Sequence, residues 1–417
     1  MSRKNITAVF TPRSRELNLD MYVPRPTFEE ELEEAFERHS HTLLFGESGN
    51  GKTWLYKVAL KKNNIPFVIA NCASASLSNS LTSVICAAIV EPGTAIKQGY
   101  SEKKLAEVTA FFAKGGLEHV GNFNITQEDP LLRAFKLFAG SSDPKRNIKK
   151  IIVIDNLESI FNTPELMNEL ANLIILLDDD KFSIFNINFL IVGVPNGVLQ
   201  YFRKTKNSDS VSNRIYEIKK VGGLDSGQVE QIIRKGFNQL NITVSANDIR
   251  EISNHIWSIS LGVAQRVHEY CEALAKMIKK NDWKYQSNLL VAADEKWLLQ
   301  GLRESYTVVE RHMNSRDTTV ARRNQVIYCV AQLSGHQFDA NDIDKSVTQE
   351  FPETLSKNMG IGAILAELTR GPSPLLAKNE DTGAYTIRDP RYLMCIRLML
   401  RKNAENSKVI KKNFGVR

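Results

Sequence analysis

The glycine-rich stretch between Leu43 and Thr53 constrains this chain more than any other part of the sequence. It reads Leu-Leu-Phe-Gly-Glu-Ser-Gly-Asn-Gly-Lys-Thr, so a short apolar strand runs into the pattern G-x-x-x-x-G-K-T, and a helical pattern follows from Trp54 to Lys61. A turn of this kind lets successive backbone N–H groups converge on a polyphosphate without obstruction by Cβ atoms. The sequence therefore predicts a phosphate-binding loop.

The loop residues have distinct predicted roles. The whole loop is taken as the binding site: Gly46, Glu47, Ser48, Gly49, Asn50, Gly51, Lys52 and Thr53. Its amides and the positive end of the following helix would hold the phosphates. Lys52 would reach the β- and γ-phosphates, and the Thr53 hydroxyl would ligate Mg²⁺. ATP with Mg²⁺ is thus the expected ligand, and the alternative is an ordinary glycine-rich turn between a strand and a helix.

A second apolar run, from Ile151 to Ile154, ends in Asp155. Fully apolar strands are typical of parallel sheets covered on both faces. An acid at the carboxyl end of such a strand points into the crevice where open α/β sheets bind ligands. Asp155 is therefore predicted to hold Mg²⁺ through water opposite Thr53, and Glu158 to polarise an attacking water. We expect the two segments to lie on adjacent strands; the alternative for Asp155 is a surface acid at a strand end.

The next predicted strand, Phe189 to Val194, is followed by Pro195-Asn196-Gly197. The Asn196 amide at the end of a strand beside the Asp155 strand could contact the γ-phosphate or the attacking water. A plain turn is the alternative, because Pro-Asn-Gly is itself strong turn chemistry.

Length and composition bound the remaining possibilities. A chain of 417 residues predicts two or three domains. The net charge of +7 permits a nucleic-acid partner without demonstrating one. No apolar run approaches the roughly 18 residues that span a bilayer, and no apolar signal core follows Met1, so we expect a cytoplasmic protein without a membrane partner. Five scattered cysteines without C-x-x-C spacing indicate neither a disulfide framework nor a zinc site.

The pattern along the chain predicts an α/β phosphate-loop core with a parallel sheet, followed by helices and a second small domain. The predicted division is a basic N-terminal arm 1–21, the core 22–222 with an insertion at about 91–130, an all-helical lid 223–280, a helical or polar bridge 281–317, a winged helix 318–402 and a basic tail 403–417. The winged helix is predicted because three helical patterns precede two strands joined by the turn 379–383, a variant of the helix-turn-helix order.

The charge of the C-terminal part does not decide whether its partner is DNA or a protein. Residues 301–417 hold 18 Lys and Arg against 13 Asp and Glu, an excess of five positive charges. Four basic side chains could contact DNA phosphates: Arg370, Lys378, Arg388 and Arg391. The presumed recognition helix, Leu355 to Thr369, carries only Lys357 and is otherwise apolar or small, which favours protein contact or packing. DNA and a partner protein are therefore both kept as partners.

In these motifs and their order the chain resembles the AAA+ and STAND superfamily of P-loop ATPases, nearest to the branch with origin-recognition initiators, transposition helpers and the archaeal ATPase group. The resemblance covers about residues 22–400 in architecture, but only the Walker A loop and the Asp155 strand, which resembles Walker B, are specific. It implies that Asn196 is sensor 1, that Arg214 reaches the γ-phosphate of a neighbouring subunit, and that Arg266 is sensor 2. Tyr385 to Pro390 resembles the end of the winged helix in the archaeal group.

Two departures from the family pattern matter. The residue after the Walker B aspartate is Asn156, where hydrolytic members usually have glutamate or a second acid. The stretch from Gly262 to Arg266 lacks the proline often found ahead of sensor 2. Nucleotide binding is therefore the firmer expectation, and hydrolysis is expected to be slow.

The resemblance implies a nucleotide-driven switch that assembles with itself, hydrolyses ATP and engages DNA or a partner protein, as in transposition, replication or phage defence. An alternative from another class is a signalling scaffold that holds ATP or ADP with little or no turnover and has protein partners. Asn156 supports this alternative.

Overall fold

The computed structural model describes residues 3–14, 16–90, 129–140, 148–193, 202, 205, 208–314, 320–333, 337–355, 359–403, 408–412 and 414. The chain divides into two compact units. One, called here the P-loop unit, is Pro24–Gly222; the other, called the helical unit, combines Met1–Val23 with Gly223–Arg417.

The described helices are α1 (Ile6–Val9), α2 (Pro26–Glu37), α3 (Lys52–Lys62), α4 (Cys72–Ser78), α5 (Leu81–Val90), α6 (Pro130–Gly140), α7 (Pro164–Leu176), α8 (Asp180–Ser183), α9 (Ser208–Ser212), α10 (Ser226–Gln239), α11 (Ala246–Ser260), α12 (Ala264–Lys280), α13 (Leu289–Gly301), α14 (Arg303–His312), α15 (Arg322–Gln332), α16 (Ala340–Glu350), α17 (Ile361–Leu368) and α18 (Pro390–Met399). The described strands are β1 (His41–Phe45), β2 (Phe67–Asn71), β3 (Lys150–Asp155), β4 (Ile187–Gly193), β5 (Ile215–Glu217), β6 (Gln337–Phe338), β7 (Leu376–Lys378), β8 (Tyr385–Ile387), β9 (Leu400–Lys402) and β10 (Val409–Lys411). Short 3-10 turns lie at Leu157–Ser159 and Pro352–Thr354.

The P-loop unit is built on a five-stranded parallel sheet with the strand order β2-β3-β4-β1-β5. The predicted α/β class with a parallel sheet is confirmed. The expectation that the phosphate-loop strand β1 and the Asp155 strand β3 are adjacent is wrong, because β4 pairs with both and lies between them. β1 and β3 still end at the same carboxyl edge, where open parallel sheets bind ligands.

Both faces of this sheet are buried, as its continuous apolar strands predict. Along β3, Ile152 and Ile154 pack into one apolar core with helices α4 to α7. Ile151 and Val153 point the other way, into a second core with α2 and α3. Since side chains alternate between faces along a strand, a run without polar residues fits only a sheet covered on both sides.

One stretch of the P-loop unit differs from what its composition indicates, and a second is almost wholly outside the described residues. The Ser-rich segment 74–80 has a composition typical of a turn but is mostly the helix α4, whose N-cap Asn71 accepts a hydrogen bond from the Ala73 N–H. The insertion expected at 91–130 lies, apart from 129 and 130, outside the described residues.

The N-terminal segment is part of the helical unit's core, so the prediction of a separate basic arm over residues 1–21 is wrong. Ile6, Val9 and Phe10 are buried. The Phe10 ring lies so close to Gly236 that a Cβ there would come within 2.2 Å of it. These apolar side chains bind the segment to the unit despite its basic residues, because their burial stabilises more than exposed charges repel.

Helices α10, α11 and α12 lie where the sequence predicts the lid, and α13 and α14 occupy most of the predicted bridge. The finer division of this unit into lid, bridge and winged helix stays a prediction. A buried carboxylate joins several of these elements: Asp294 on α13 accepts hydrogen bonds from His255 at 2.6 Å, Tyr270 at 2.7 Å and Lys412 at 3.0 Å. Its pKa is lowered by these partners although burial acts in the opposite direction.

The C-terminal part of the helical unit has the order helix, strand, helix, helix, strand, strand, with β6, β8 and β7 forming a three-stranded antiparallel sheet. The helix predicted over Leu355 to Thr369 is shorter: α17 begins at Ile361, after Gly360 with φ +63°. Lys357 lies outside the described residues. The segment predicted as a basic tail contains β10, which pairs with β9, so the described part of it is structured.

All five cysteines are buried and reduced. Within the described ranges, no single helix is long and apolar enough to cross a membrane. The bent pair α4 and α5 would meet that requirement only jointly.

Candidate nucleotide site

Three glycines of the phosphate loop sit where a side chain would not fit or would strain the backbone. Gly46 follows β1 and lies against Val221, so a Cβ at Gly46 would stand 2.4 Å from the Val221 carbonyl oxygen. Gly49 and Gly51 have φ of 86° and 82°, the left-handed region that favours glycine. Gly51 is the N-cap of α3, so the loop turns directly into the positive end of that helix.

The Lys52 ammonium lies over the loop. Its Nζ donates to the carbonyl of Gly46 at 2.7 Å and to that of Glu47 at 3.1 Å. Burial lowers the pKa of Lys52, and three nearby carboxylates oppose this by favouring the charged form: Glu158, Asp155 and Glu47. A partly desolvated cation beside the loop amides is the arrangement that stabilises a bound polyphosphate.

Asp155 closes β3 at the same edge. Burial raises the pKa of its carboxyl group, while the hydrogen bond from the Asn156 N–H, at 2.9 Å, lowers it. Lys52 and Lys57 also favour the carboxylate form. The structure thus brings Asp155 and Lys52 within electrostatic reach of each other, as the sequence predicts.

The donor set fits Mg²⁺ bound together with a nucleotide. Within the described residues no group of three or more His, Cys, Asp or Glu side chains could form a metal cage. Mg²⁺ needs no such cage, because it keeps several waters and takes the rest of its ligands from phosphates and one or two oxygen side chains. Thr53, in the first turn of α3, and Asp155 are the residues that would supply those side-chain oxygens.

The residue directly after Asp155 is an amide, Asn156, and not a second catalytic acid. Asn156 has φ 58°, and its side-chain Nδ2 donates to Asn71 Oδ1 at 3.1 Å. Glu158 is exposed on the 3-10 turn Leu157–Ser159, and its charge reaches both Lys52 and Asp155. Glu158 therefore stays the predicted carboxylate for water activation.

Comparison with known proteins agrees with this geometry. Residues 35–202 match the family model described as AAA domain. Residues 35–202 are an AAA domain. This segment holds the phosphate loop and Asp155, so both belong to a nucleotide-binding domain of the P-loop class.

Solved structures resemble more of the chain than the AAA domain. The Walker-type ATPase PABY2304 of Pyrococcus abyssi matches with a TM-score of 0.52 and 16% identity over 93% of this chain and 99% of that one. The ORC2 protein of Aeropyrum pernix, in ADPNP and ADP complexes, matches with a TM-score of 0.47 and 14% identity over 92% and 96%. The RuvB Holliday junction branch migration motor of Thermotoga maritima matches with a TM-score of 0.40 and 12% identity over 91% and 96%. At 16% identity, the likeness to PABY2304 shows the fold alone. A comparison with curated protein sequences found no match.

Arg214, predicted to act on a neighbouring subunit, lies beyond the end of the AAA domain match. It precedes β5 at the amino ends of the strands, whereas the phosphate loop lies at their carboxyl ends. Its carbonyl there accepts a hydrogen bond from the His41 N–H. Its guanidinium pairs with Asp178 and donates to the Ser210 carbonyl at 2.6 Å. The length of β1, about 16 Å, separates the amino ends of the strands from the loop. Arg214 is therefore too far away to reach a phosphate bound in its own subunit.

The other two residues implied by the family resemblance lie outside the described part of the P-loop unit. Asn196 lies outside the described residues. Arg266 lies in the first turn of α12 in the helical unit, where it donates to Glu269 at 2.7 Å and packs over Gly301. Their roles as sensors stay predictions.

Arg25, which no specific motif indicates, supports the loop through a hydrogen bond to one of its carbonyls. Its side chain is 6% exposed, and its Nη1 donates to the Asn50 carbonyl at 2.9 Å. Its Nη2 donates to the Gly222 carbonyl at 2.8 Å. Nothing in the sequence distinguishes Arg25 from other basic residues, apart from its place between two prolines just before α2.

Proposed function

We propose that this protein is a nucleotide-dependent switch that binds MgATP at the loop Gly46 to Thr53, hydrolyses it slowly and assembles with itself. The observation that carries the proposal is the placement of the Lys52 ammonium over the loop and within electrostatic reach of Asp155. These two charges would hold a triphosphate with Mg²⁺ between them. When bound, the metal would neutralise phosphate charge, with Thr53 and Asp155 holding it directly or through water.

The decisive test is nucleotide binding by Lys52→Ala, measured by titration calorimetry with ATP and Mg²⁺. We expect affinity to fall at least about a hundredfold, because a charge-assisted contact to the phosphates is lost. Lys61→Ala is the matched control, since Lys61 is exposed on the same helix and its removal changes the net charge equally. Equal affinities for the two variants would refute the proposal.

Self-assembly through Arg214 is proposed because Arg214 is remote from its own loop. An arginine directed at a transferring phosphoryl group accelerates the reaction by a factor of about 10³–10⁵. Arg214→Ala should therefore lower turnover in the assembly and leave nucleotide affinity largely unchanged. Asp178→Ala breaks the same ion pair but keeps the arginine, so it separates the two roles. If both variants lose turnover equally, the ion pair is structural and the intersubunit role is wrong.

The C-terminal elements are proposed to form a winged helix that engages DNA or a partner protein. The order of α15, β6, α16, α17, β7 and β8 supports this, as does the antiparallel sheet of the three strands. Arg370, Lys378 and Arg388 are exposed on this part. Arg391, the fourth predicted phosphate contact, is exposed and held by the Asp389 carboxylate at 2.6 Å.

A second candidate is a scaffold that changes partner with nucleotide state and turns over little ATP. Two observations favour it. Asn156 is tied to Asn71 in place of a second acid beside Asp155. The exposed positions of α17 include Gly362, Ala363 and Glu367, which do not make the bidentate contacts to guanine or adenine that Arg, Asn or Gln would make. On this reading the partner is a protein, and a cytoplasmic location is part of either proposal.

Fluorescence anisotropy with duplex DNA at two salt concentrations separates the partners. DNA binding through phosphate contacts must weaken steeply as salt rises. Mass photometry with ADP and with a non-hydrolysable ATP analogue, with and without DNA, reports nucleotide-dependent assembly in the same samples. A protein that binds nucleotide but stays monomeric with every addition would remove the assembly part of the proposal and leave the binding part.

A further inference from the structure

The chain passes between its two units at two places, and Arg25 is close to both of them. It is near the first in sequence and contacts the second through a hydrogen bond. The first passage is between Val23 and Pro24, and the second between Gly222 and Gly223. Arg25 is two residues after Val23, and its Nη2 donates to the carbonyl of Gly222, the last residue of the P-loop unit, at 2.8 Å. One buried guanidinium therefore links the start of the P-loop unit to its end.

The same guanidinium holds the phosphate loop. Its Nη1 donates to the Asn50 carbonyl at 2.9 Å. That carbonyl belongs to the peptide group whose N–H is carried by Gly51, one of the loop amides that face a bound phosphate in this kind of loop. A cation at the oxygen polarises the peptide group, so the Gly51 N–H becomes a stronger donor.

Two further contacts join the loop to the second passage. The Asn50 side-chain Nδ2 donates to the Val221 carbonyl at 3.0 Å, and the Asn50 side chain is buried. Gly46 packs so tightly against Val221 that there is no room for a methyl group between them. Val221 in turn donates its N–H to the Phe45 carbonyl at 2.8 Å. A shift of the loop must therefore move the segment Val221–Gly222 with it.

After the second passage, the chain is fixed to the helical unit by backbone and side-chain contacts. Leu224 donates its N–H to the Gly262 carbonyl at 2.7 Å, and Trp257 Nε1 donates to the Leu224 carbonyl at 3.1 Å. A Cβ on Gly223 would lie 2.5 Å from the Leu261 carbonyl oxygen. The peptide bond between Gly222 and Gly223 thus joins two segments that are each fixed to their own unit.

We propose that Arg25 is a positioning residue of the nucleotide site, which fixes the loop for phosphate binding and transmits nucleotide occupancy to the two chain passages between the units. This inference rests on the proposed nucleotide binding. It assigns to Arg25 two effects that a purely structural arginine would not have together. One is on nucleotide affinity, and the other is on the response of Leu224 to nucleotide.

The test uses the full chain and compares wild type with Arg25→Met, a variant of similar length without donors or charge. Affinity for ATP with Mg²⁺ is measured by titration calorimetry, and hydrogen exchange is measured on the peptides that contain Val221 and Leu224. In the wild type, we expect nucleotide to slow exchange of both. In Arg25→Met, we expect affinity to fall about tenfold or more, because a hydrogen bond from a charged donor supports the loop, and the slowing at Leu224 to disappear.

Arg397→Met is the matched control. Arg397 on α18 is built in the same way, with Nε donating to the Ala331 carbonyl at 2.8 Å and Nη1 to the Ser258 carbonyl at 2.9 Å, all within the helical unit. Its removal is expected to leave nucleotide affinity unchanged. Circular dichroism reports whether each variant is folded.

If Arg25→Met does not fold, Arg25→Lys and Asn50→Ala replace it. Lysine keeps the charge but offers a single head group, so we expect about a threefold loss of affinity and a reduced response at Leu224. Asn50→Ala removes only the side-chain contact to Val221 and should reduce the response at Leu224. Nucleotide affinity within twofold of wild type together with an unchanged response at Leu224, in whichever variant folds, overturns the inference. A wild type that binds no nucleotide refutes the proposed function, whereas a wild type that binds without any response at Leu224 refutes this inference alone.

Discussion

The imidazole of His41 makes the stability of the P-loop unit depend on pH. His41 opens β1 and is 2% exposed. Its Nδ1 accepts the Phe189 N–H at 2.9 Å, which leaves Nε2 protonated and 3.3 Å from the Ile174 carbonyl. The ring also stacks on that of Phe189, with centroids 5.2 Å apart. Both ring nitrogens thus have hydrogen-bond partners when the ring is neutral. The ring joins β1 to β4 at the amino ends of the strands, where Arg214 also lies.

Burial lowers the pKa of His41 from 6.5 to about 4. The unfolded chain therefore binds a proton at this imidazole below pH 6.5, whereas the folded protein does not bind it until about pH 4. Stability from this residue is present above pH 6.5 and is lost as pH falls through that window. The loss amounts to about 2 kcal/mol between pH 7.5 and pH 5, from 1.36 kcal/mol per pKa unit.

His41→Asn tests this prediction, because the asparagine amide can accept the Phe189 N–H but does not titrate. Urea unfolding of both proteins is followed by circular dichroism between pH 7.5 and pH 5. The variant should be less stable at pH 7.5, since it loses the contact to Ile174 and the ring stacking. The difference between the two proteins should then shrink by about 2 kcal/mol at pH 5. His268, whose pKa burial also lowers to about 4, is present in both and cancels. Parallel loss of stability in both proteins would refute the reasoning.

Three further predictions concern the P-loop unit. Gly46→Ala should abolish nucleotide binding in a calorimetric titration, because its Cβ would stand 2.4 Å from the Val221 carbonyl oxygen, whereas Gly140→Ala, with nothing within 4 Å, should bind normally. Asn156→Glu should raise the rate of phosphate release several-fold at saturating ATP if a missing acid limits turnover, and an unchanged rate would place the limit elsewhere. Glu169→Ala should lower the free energy of unfolding in urea by about 1–3 kcal/mol, because the carboxylate accepts two backbone N–H groups at the start of α5.

The sequence predicted the parts of the P-loop unit in which local chemistry and tertiary structure agree. The continuous apolar run ending in Asp155 predicted a strand buried on both faces, and the pattern G-x-x-x-x-G-K-T predicted a loop leading into a helix. It did not predict the strand order, because pairing depends on contacts between residues far apart in the chain, and β4 enters between β1 and β3. α4 is not evident from the sequence because serines favour turns in isolation, whereas here Cys72 and Ala75 are buried against the core.

The site was predictable only where a motif fixes its geometry. Lys52 and Asp155 come from such motifs, and the structure places them within electrostatic reach of each other. Arg25 has no motif, and its role depends on two carbonyls, of Asn50 and Gly222, that are 25 and 197 residues away. The basic character of the N-terminal segment was equally misleading. Ile6 and Phe10 place that segment in a core that also holds Val9, Met21 and Val23, and whose remaining residues begin at Leu224, two hundred positions later.

Buried and backbone contacts fix the groups that would bind nucleotide. The groups that would hydrolyse it are less firmly fixed or are far from the loop. The loop is fixed by Arg25, by the packing of Gly46 and by the left-handed backbone at Gly51, all of which depend on buried or backbone contacts. Glu158, the remaining candidate for water activation, is exposed on a short turn, and Arg214 is too far from the loop to contact a phosphate in its own subunit. Binding should therefore survive in an isolated subunit, whereas turnover should depend on assembly. Comparing affinity and rate over a dilution series separates these properties, and a rate per subunit independent of concentration would contradict this division.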